Sequence, residues 1–331
     1  MVERSYRWAR MVCMAMFGGV LAACGAAARA QDFPAKPIRL IIGFPPGGSN
    51  DIVARQLAPK LAEALGVQVV VENRPGANAT IATEFVARSA PDGYTLTLAS
   101  ASPLAISPHT YSKIGYDTLR DFAGITTVAM TPELVAVHPA LPARTLKELI
   151  ALAKAQPAKL NFASAGNGGL PHLAIELFKT LAKVNVQHVP YKGAAPAAID
   201  LVGGHIEGMI MDFPAIYTYV QQGKMRGLAM AAEKRMPLMP EIPTAAEQGV
   251  PGLIAVNWFS IVAPAKTPRP VVEKLHATLV RAATTPEMKK NFTALGIESM
   301  TSASPEELMK FLQGELVRWG KVAKESGARA D

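Results

Sequence analysis

The chain has 331 residues, of which 50% are hydrophobic and 18% are charged, so it is long enough to bury the cores of two ordinary domains. Its 26 glycines and 26 prolines are scattered rather than gathered in tracts, which excludes a fibrous or disordered protein. The formal net charge of +8 is dispersed without a run of five like charges, so we expect no nucleic-acid partner.

Residues 1–30 are predicted to be a signal peptide. Arginines precede an uncharged, mostly apolar run from Met11 to Ala23, and small residues up to Ala30 offer a cleavage point. Two alternatives stay open. A sequence that resembles a bacterial lipobox ends at Cys24 and would place a lipid anchor there, and the apolar stretch is barely long enough for a retained membrane anchor.

Both cysteines, Cys13 and Cys24, fall inside this leader, so a chain cleaved after Ala30 contains no thiol. Disulfides, thiolate metal sites and a cysteine nucleophile are then excluded. Four basic residues and one acidic residue are also removed with the leader, which leaves a mildly basic mature chain. No second apolar stretch of about 18 residues follows, so we expect a mature protein that is soluble or tethered only at its tip.

Short β-rich runs alternate with amphipathic helical runs along the rest of the chain, which predicts an α/β fold with largely parallel sheets. Strands are predicted at Ile38–Ile42, Val67–Val71, Tyr94–Ala99, Leu134–Val137, Leu160–Ala163, Val186–Val189, Met209–Met211 and Leu228–Ala231. Two of the helices between and after them begin with capping boxes, at Thr145 and at Ser304. After Pro264 the chain is expected to be helical to its end.

We expect two α/β lobes with a cleft between them. The C-terminal helices are predicted to return to the first lobe, so the chain crosses between lobes twice, near residues 125–133 and 253–262. The lobes then comprise residues 31–130 plus 256–331, and residues 131–255. Trp258 lies by the second crossing, where it either packs in the core or hinge or forms a wall of the cleft.

The sequence offers little catalytic machinery. The six histidines stand apart, and no pair has the spacing that places two metal ligands on one helix face. Neither a G-x-S-x-G elbow nor a Walker loop occurs, and the run 166–171 has proline where a dinucleotide fingerprint needs its third glycine. Nothing selects one pair of carboxylates for a hydrolase. We therefore expect no enzymatic activity, no metal and no cofactor.

Three loops rich in small and polar residues are predicted between a strand and a helix. They are Phe44–Asp51, Pro75–Thr80 and Ser164–Gly169. A helix N-terminus has free N–H groups and about half a positive charge, so loops without bulky side chains let a carboxylate approach the backbone. Taken alone, each loop is better explained as a β-to-α turn with an N-cap. Three at the carboxyl ends of strands favour an anion-binding site.

Several polar groups in and near these loops are candidate ligand contacts. The uncharged donors are the hydroxyls of Ser49, Thr80 and Ser164, the amides of Asn78 and Asn167, and the backbone N–H groups of Gly48, Gly166 and Gly168. His172 either donates to a ligand carboxylate or bonds the neighbouring loop. Asp212 either pairs with an amino group of the ligand or caps a turn. Asp51 and Arg55 are expected to form an intrahelical ion pair.

The sequence resembles the Bug receptors, the substrate-binding proteins of tripartite tricarboxylate transporters in Gram-negative bacteria. The likeness is carried by the segments 44–51 with 54–55, 72–77, 90–96, 189–193, 200–204, 240–244 and 263–268, which span essentially the whole mature chain. It departs from many relatives at Asn78, which lies in a loop where they have Gly-Ala-Gly-Gly. It also has Gly168-Gly169 where relatives often have Gly-Ser.

The resemblance implies a type II periplasmic binding protein of the Venus flytrap kind, with two mixed or mostly parallel sheets and a hinge of two crossing strands. Its lobes would close over a small mono- or dicarboxylate, including an amino acid or an aromatic acid. As a periplasmic monomer without a cofactor, it would deliver this ligand to the membrane subunits of a tripartite tricarboxylate transporter. The alternative is a sensory receptor of the same fold that presents its ligand-bound form to a membrane signalling partner.

The expected ligand-binding residues combine the loop residues with this resemblance. They are Phe44, Gly47, Gly48, Ser49, Asn78, Ala79, Thr80, Ser100, Ser164, Ala165, Gly166, Asn167, Gly168, His172 and Asp212.

Overall fold

The computed structural model describes residues 33–331. The predicted signal peptide, its cleavage point and the lipobox-like sequence ending at Cys24 therefore lie outside the described residues. Among the helices of residues 33–331, none combines the length and apolar character that a bilayer crossing requires. Residues 36–331 form one compact unit.

The first part of this unit alternates strands and helices as the sequence predicts. Its elements are β1 (Ile38–Ile42), α1 (Ser49–Leu65), β2 (Val69–Asn73), α2 (Thr80–Ala87), β3 (Thr95–Ser100) and α3 (Ser107–Thr110). Helix α1 buries Val53, Leu57 and Leu61, which are spaced four residues apart and so share one face. It ends at Gly66, whose left-handed φ of 71° lets its N–H reach the carbonyl of Ala62.

The middle part contains the last five of the predicted strands, from Leu134–Val137 to Leu228–Ala231. Its elements are β4 (Phe122–Val137), α4 (Leu146–Ala155), β5 (Asn161–Ser164), α5 (Leu170–Ala182), β6 (Gln187–Pro190), α6 (Ala194–Val202), β7 (Gly208–Asp212), α7 (Phe213–Gln221) and β8 (Arg226–Met230). The predicted cap of α4 is present, because the Thr145 hydroxyl accepts the Glu148 N–H at 3.1 Å. The Glu148 carboxylate accepts the N–H of Arg144, one residue earlier than the usual capping box.

The C-terminal part is helical with two exceptions. Its elements are β9 (Val256–Pro264), α8 (Arg269–Thr284), α9 (Pro286–Ala294), β10 (Glu298–Ser299) and α10 (Pro305–Ser326). Ser304 caps α10 as predicted, since its hydroxyl accepts the Glu307 N–H at 3.1 Å. The expectation of helix from Pro264 to the end is wrong at β10, which pairs with β4. Two residues carry no periodic signal, so this strand exists only because an edge of β4 is there to pair with.

All ten strands of residues 33–331 are joined by hydrogen bonds in the order β2-β1-β3-β9-β4-β7-β5-β6, with β8 and β10 also on β4. The strands β1, β2 and β3 run parallel to one another, as do β5, β6 and β7, whereas β4 and β9 are antiparallel to their neighbours. Both halves of the sheet are thus mixed, as expected. β4 links them, because residues 122–132 pair with β9 and residues 133–137 pair with β7 and β8. The lobe boundaries themselves stay a prediction.

Trp258 belongs to the core and not to a cleft wall. Its side chain is buried in the same hydrophobic cluster as Phe178 and Trp319. The indole N–H groups of Trp258 and Trp319 both donate to one carboxylate oxygen of Glu315, at 2.8 and 3.0 Å. The polar edge of each ring is satisfied in this way, as burial of an indole requires.

Candidate functional site

Two adjoining pockets lie at the carboxyl ends of the parallel strands. The inner pocket has a volume of about 40 Å³ and the outer pocket one of about 540 Å³. Both are lined by Phe44, Pro45, Asn78, Ala165 and Gly193. Because they share these walls, one ligand can place a small polar end in the inner pocket and the rest of its structure in the outer pocket.

Three helices begin at the inner pocket after a glycine, which has no side chain to cap them. The residues that precede α1, α5 and α6 are Gly48, Gly169 and Gly193, and α5 is capped from elsewhere in the chain, since the Ser102 hydroxyl accepts the Leu170 N–H at 3.0 Å. Their first turns line the pocket through residues that include Ser49, Pro171 and Ala194. The positive ends of the three helix dipoles therefore face the same space, and α1 and α6 also bring free N–H groups to it. Among residues 33–331, no lysine, arginine or histidine lines the inner pocket, so the backbone supplies its positive potential.

The first predicted loop is shaped by Asp51. Its carboxylate accepts hydrogen bonds from the Gly47 N–H at 3.1 Å, from Arg55 Nε at 2.9 Å and from Asn73 Nδ2 at 2.9 Å. Burial alone raises the pKa of this carboxyl, but the bonds from Arg55, Asn73 and Gly47 outweigh it and hold the pKa below its ordinary value. The predicted ion pair with Arg55 is present and fixes the turn at Gly47, whose φ is 84°.

The second loop contains three consecutive non-glycine residues with positive φ. The angles are 48° at Ala77, 50° at Asn78 and 71° at Ala79. Each such conformation costs about 1–2 kcal/mol. The side chain of Asn78 donates to the carbonyl of Asn167, which ties the second loop to the third. The Thr80 hydroxyl donates back to the Ala77 carbonyl at 2.8 Å and so stabilises its own loop.

The third loop is supported from beneath by two stacked histidines. The ring centroids of His172 and His188 are 3.8 Å apart. His188 Nε2 lies 2.6 Å from the Ser164 hydroxyl, and the Gly168 N–H donates to His172 Nδ1 at 2.9 Å. The Ser164 hydroxyl also donates to the Gly166 carbonyl at 2.9 Å. Ser164 and His172 therefore bond the loop itself, which is the second of the two roles proposed for His172.

Both histidine rings are neutral at pH 7. Burial lowers the pKa of His172. Burial, aided by the charges of His172 and Lys179, lowers the pKa of His188 to about 3. Neutral rings stack face to face without charge repulsion, and a neutral ring can accept the N–H of Gly168.

Gly168 is packed against the C-terminus and not against either pocket. A Cβ atom at this position would lie 2.6 Å from the Cβ of Ala330 and 2.8 Å from Oγ1 of Thr110. Thr110 donates to the Gly168 carbonyl at 3.0 Å, and the Ala330 N–H donates to the Thr110 carbonyl at 2.9 Å. Asn167 Nδ2 donates to the Ala330 carbonyl at 3.2 Å. The end of the chain thus holds the back of the third loop.

The floor of the inner pocket carries a carboxylate. Asp212 ends β7, and Asn257 Nδ2 donates to its two carboxylate oxygens at 2.9 and 3.2 Å. Asn257 comes from β9, and its Oδ1 accepts the Ala101 N–H at 3.3 Å. Glu133 of β4 is the cross-strand partner of Asp212 and is completely buried. The inner pocket therefore combines anion-binding helix ends with one acidic side chain.

Burial and a neighbouring carboxyl group favour the neutral form of Glu133. Burial is the main reason that its pKa lies well above the ordinary value, and the charge of Asp212 and its side-chain contact raise the pKa further. The contact between the two carboxyl groups falls short of a hydrogen bond of standard geometry, because neither oxygen of Glu133 has such a partner among the described residues. Asp212 is the member of this pair that lines the inner pocket.

About half of the predicted site residues line a pocket. Those on the walls are Phe44, Gly48, Ser49, Asn78, Ala165, Gly166, Asn167 and Asp212. Those behind the walls are Gly47, Ala79, Thr80, Ser100, Ser164, Gly168 and His172. Ligand contact by any of these residues stays a prediction.

Several wall residues were not foreseen from the sequence. They include Asn50, Ser102, Tyr111, Ala194, Ala195, Pro196 and Asn257. The turn at Gly193 is a fourth glycine-containing β-to-α turn, and this signal was available in the sequence. For Asn257 no local signal exists, because it lies within a strand. Among residues 33–331, no group of three or more His, Cys, Asp or Glu side chains is placed to hold a metal ion.

Comparison with known proteins identifies the family. The family model described as the tripartite tricarboxylate transporter family receptor matches residues 53–328. The chain is 37% identical to protein BugT of Bordetella pertussis over 319 residues, which are 96% of this chain and 98% of BugT.

Two solved structures share the fold. The structure of R. palustris Rpa4515 with adipate has a TM-score of 0.87 and 34% identity, and the match covers 90% of this chain and 99% of Rpa4515. The periplasmic binding protein BugD has a TM-score of 0.84 and 33% identity, and the match covers 90% of this chain and 99% of BugD. The predicted two-lobed α/β fold of a periplasmic binding protein is confirmed. The chain belongs to the receptor family of the tripartite tricarboxylate transporters, as the resemblance to the Bug receptors implied.

Proposed function

We propose that this chain is an exported, periplasmic solute-binding protein that captures a small carboxylate for a tripartite tricarboxylate-type transporter. The observation that carries the proposal is the convergence of three helix N-termini on a pocket that no basic side chain of residues 33–331 lines. Such a site holds an anion through backbone N–H groups. The bound adipate named for Rpa4515, whose fold is shared, supports a carboxylate as that anion.

The dimensions of the two pockets suit a mono- or dicarboxylate. A volume of 40 Å³ admits roughly three water-sized groups, which is about the size of one carboxylate. The outer pocket, at about 540 Å³, has room for an aliphatic chain, an amino-acid side chain or an aromatic ring. A buried carboxylate must have most of its lone pairs satisfied, so closure of the two proposed lobes, residues 31–130 plus 256–331 and 131–255, would strengthen binding.

The proposed role is binding and delivery without chemical change to the ligand. The membrane subunits of the transporter would receive the ligand from the closed, monomeric protein. Uptake of the identified acid by cells with and without this gene distinguishes transport from the sensory alternative. Loss of uptake in the deletion strain supports transport, whereas unchanged uptake contradicts it.

Gly48→Leu tests the assigned pocket directly. Gly48 lines the inner pocket with φ of −80°, and a Cβ there meets only the Pro45 carbonyl at 3.7 Å, so the fold tolerates a side chain. The four added carbon atoms lie beside a pocket of only 40 Å³. We expect at least a tenfold loss of affinity for the bound acid. Gly314→Leu on α10 is the matched control, because a Cβ there contacts nothing within 4 Å.

The first measurement is native mass spectrometry of the protein purified from the periplasm, followed by calorimetric titration. We expect one organic acid for each chain, released unchanged on denaturation, and affinity that is lost in Gly48→Leu but kept in Gly314→Leu. Failure of every carboxylate in a broad screen to bind would overturn the proposed function. Unchanged affinity in Gly48→Leu would overturn the assignment of the pocket.

A further inference from the structure

The helix that follows Asp212 differs from the other three helices around the inner pocket. Those three follow glycines, whereas α7 follows an aspartate. The Asp212 carboxylate does not cap α7, and it accepts from the amide group of Asn257. Two carboxylate oxygens have about four acceptor sites, so Asp212 can accept further hydrogen bonds from a group in the inner pocket.

A second carboxyl group beneath Asp212 strengthens its role as an acceptor. Glu133 is fully buried across the β4–β7 ladder from Asp212, and burial raises the pKa of Glu133, which favours its neutral form. Asp212 lies at the floor of the pocket, and among residues 33–331 no basic side chain lies on the pocket wall to pair with it. A cation supplied by the ligand would pair with it.

Unpartnered donors lie on another wall of the same pocket. Ser49 Oγ and Asn50 Nδ2 belong to residues that are only 3% and 4% exposed, and both residues line the inner pocket. Within residues 33–331, neither atom has a hydrogen-bond partner. A buried polar group without a partner costs about 1–3 kcal/mol, so these atoms also point to a ligand. The inner pocket therefore offers donors on the wall formed by α1 and an acceptor at its floor.

We infer that the ligand is a zwitterion, a small carboxylate that also carries a protonated amine. Its carboxylate binds the N-terminal N–H groups of α1 and α6 with the side chains of Ser49 and Asn50, close to the positive end of the α5 dipole, and its ammonium group binds Asp212. This inference rests on the proposed function and adds a second recognised group. A plain acid would bring its negative charge towards Asp212 without compensation, whereas an ammonium group turns this repulsion into a charge-assisted hydrogen bond.

Matched acids that differ at one carbon atom test the inference. The probes are propionate, lactate and alanine, then succinate, malate and aspartate, and finally hexanoate and 6-aminohexanoate. Affinities are measured by calorimetry on the full mature protein. In the series that binds best, we expect the amine to bind at least tenfold more tightly than the plain acid and the hydroxy acid.

Asp212→Asn should abolish this preference. The asparagine keeps an oxygen for the bond from Asn257 but loses the charge. We expect the affinity for the amine to fall at least tenfold. The affinity for the plain acid should not fall, because the variant removes the repulsion between Asp212 and the acid. Asp92→Asn is the control, because it removes one surface carboxylate that lines neither pocket. The co-purified ligand gives a readout without a variant, since its exact mass shows whether it contains nitrogen.

Each outcome decides between the two proposals. A plain acid that binds as tightly as its amine, or a nitrogen-free co-purified acid, would overturn the zwitterion and leave the carboxylate function standing. Equal affinities for the hydroxy acid and the amine would also overturn it, because Asp212 would then accept a hydrogen bond from a neutral donor as well as from an ammonium group. If Asp212→Asn lowers the affinity for all probes equally, Asp212 stabilises the pocket and does not bind the ammonium group. No binding by any carboxylate would overturn both proposals.

Discussion

Replacing Glu133 by glutamine is expected to stabilise the protein at neutral pH and to change how its stability depends on pH. The carboxyl group is completely buried beside Asp212, and both of its oxygens lack a hydrogen-bond partner of standard geometry in the described part of the chain. Burial first, and the charge of Asp212 second, raise its pKa well above 4.5. The folded protein therefore keeps a proton that the unfolded chain releases.

The sign and size of the effect follow from this difference in proton binding. Below pH 4.5 both states hold the proton, so the stabilisation by Glu133 is fully present there and is lost as the pH rises towards the folded-state pKa. One proton changes the free energy of unfolding by about 1.4 kcal/mol for each pH unit. With an unfolding entropy of about 2 cal/mol/K per residue, this lowers Tm by about 2 °C for each pH unit between 4.5 and the folded-state pKa.

Chemical and thermal unfolding of the wild type and Glu133→Gln at pH 5.5, 6.5 and 7.5 measure this effect. Glutamine cannot ionise, so the free energy of unfolding of the variant should exceed that of the wild type by more as the pH rises. The contributions of titratable groups that both proteins share cancel in this difference. Glu325→Gln serves as the control because that side chain is 62% exposed. A difference between wild type and Glu133→Gln that stays constant across these pH values would refute the reasoning.

Two further predictions concern the loops. Because the folded-state pKa of His188 is lowered to about 3, its stabilisation is present above pH 6.5 and is lost as the pH falls towards 3, so His188→Asn should flatten the acid side of the stability profile. Because the ring is partly exposed, we expect its protonation to lower the free energy of unfolding by about 0.5–1 kcal/mol per pH unit between pH 6.5 and 4.5, measured by urea titration. Identical slopes of this free energy against pH in the wild type and His188→Asn would contradict the prediction. Ala77→Gly should stabilise the fold by about 0.5 kcal/mol, because Ala77 is exposed with φ of 48° and glycine adopts that angle without strain. Ala64→Gly, on an exposed position of α1, should instead destabilise by about 0.5–1 kcal/mol, and the same sign for both variants in urea unfolding would disprove the role of φ.

The alternation of strands and helices was readable from the sequence. The predicted strand Ile38–Ile42 matches β1 to the residue, whereas Val67–Val71 is displaced by two residues from β2. The capping residues Thr145 and Ser304 were also found, because a cap depends on atoms only three residues apart. A local signal of this kind depends only on residues within a short segment, so it can be read from the sequence without knowledge of the fold.

The sequence also located the three small-residue loops, since glycine and short polar side chains mark β-to-α turns. It did not show which side of each loop would face the pocket. Ser164 and Gly168 are in the predicted loop, yet one bonds His188 and the other packs against Ala330. The packing partners lie far along the chain, so turn chemistry alone cannot tell a ligand donor from a structural bond.

The sequence by itself determined the fold class, the family likeness and the loops at the ends of the strands. Tertiary structure alone decided the chemistry of the pocket floor. The antiparallel pairing of β4 with β7 places Glu133 against Asp212, and the position of β9 brings Asn257 to the same carboxylate across 45 residues of sequence. The pKa of a carboxyl group depends on burial and on the charges around it, and neither exists until these distant strands are paired.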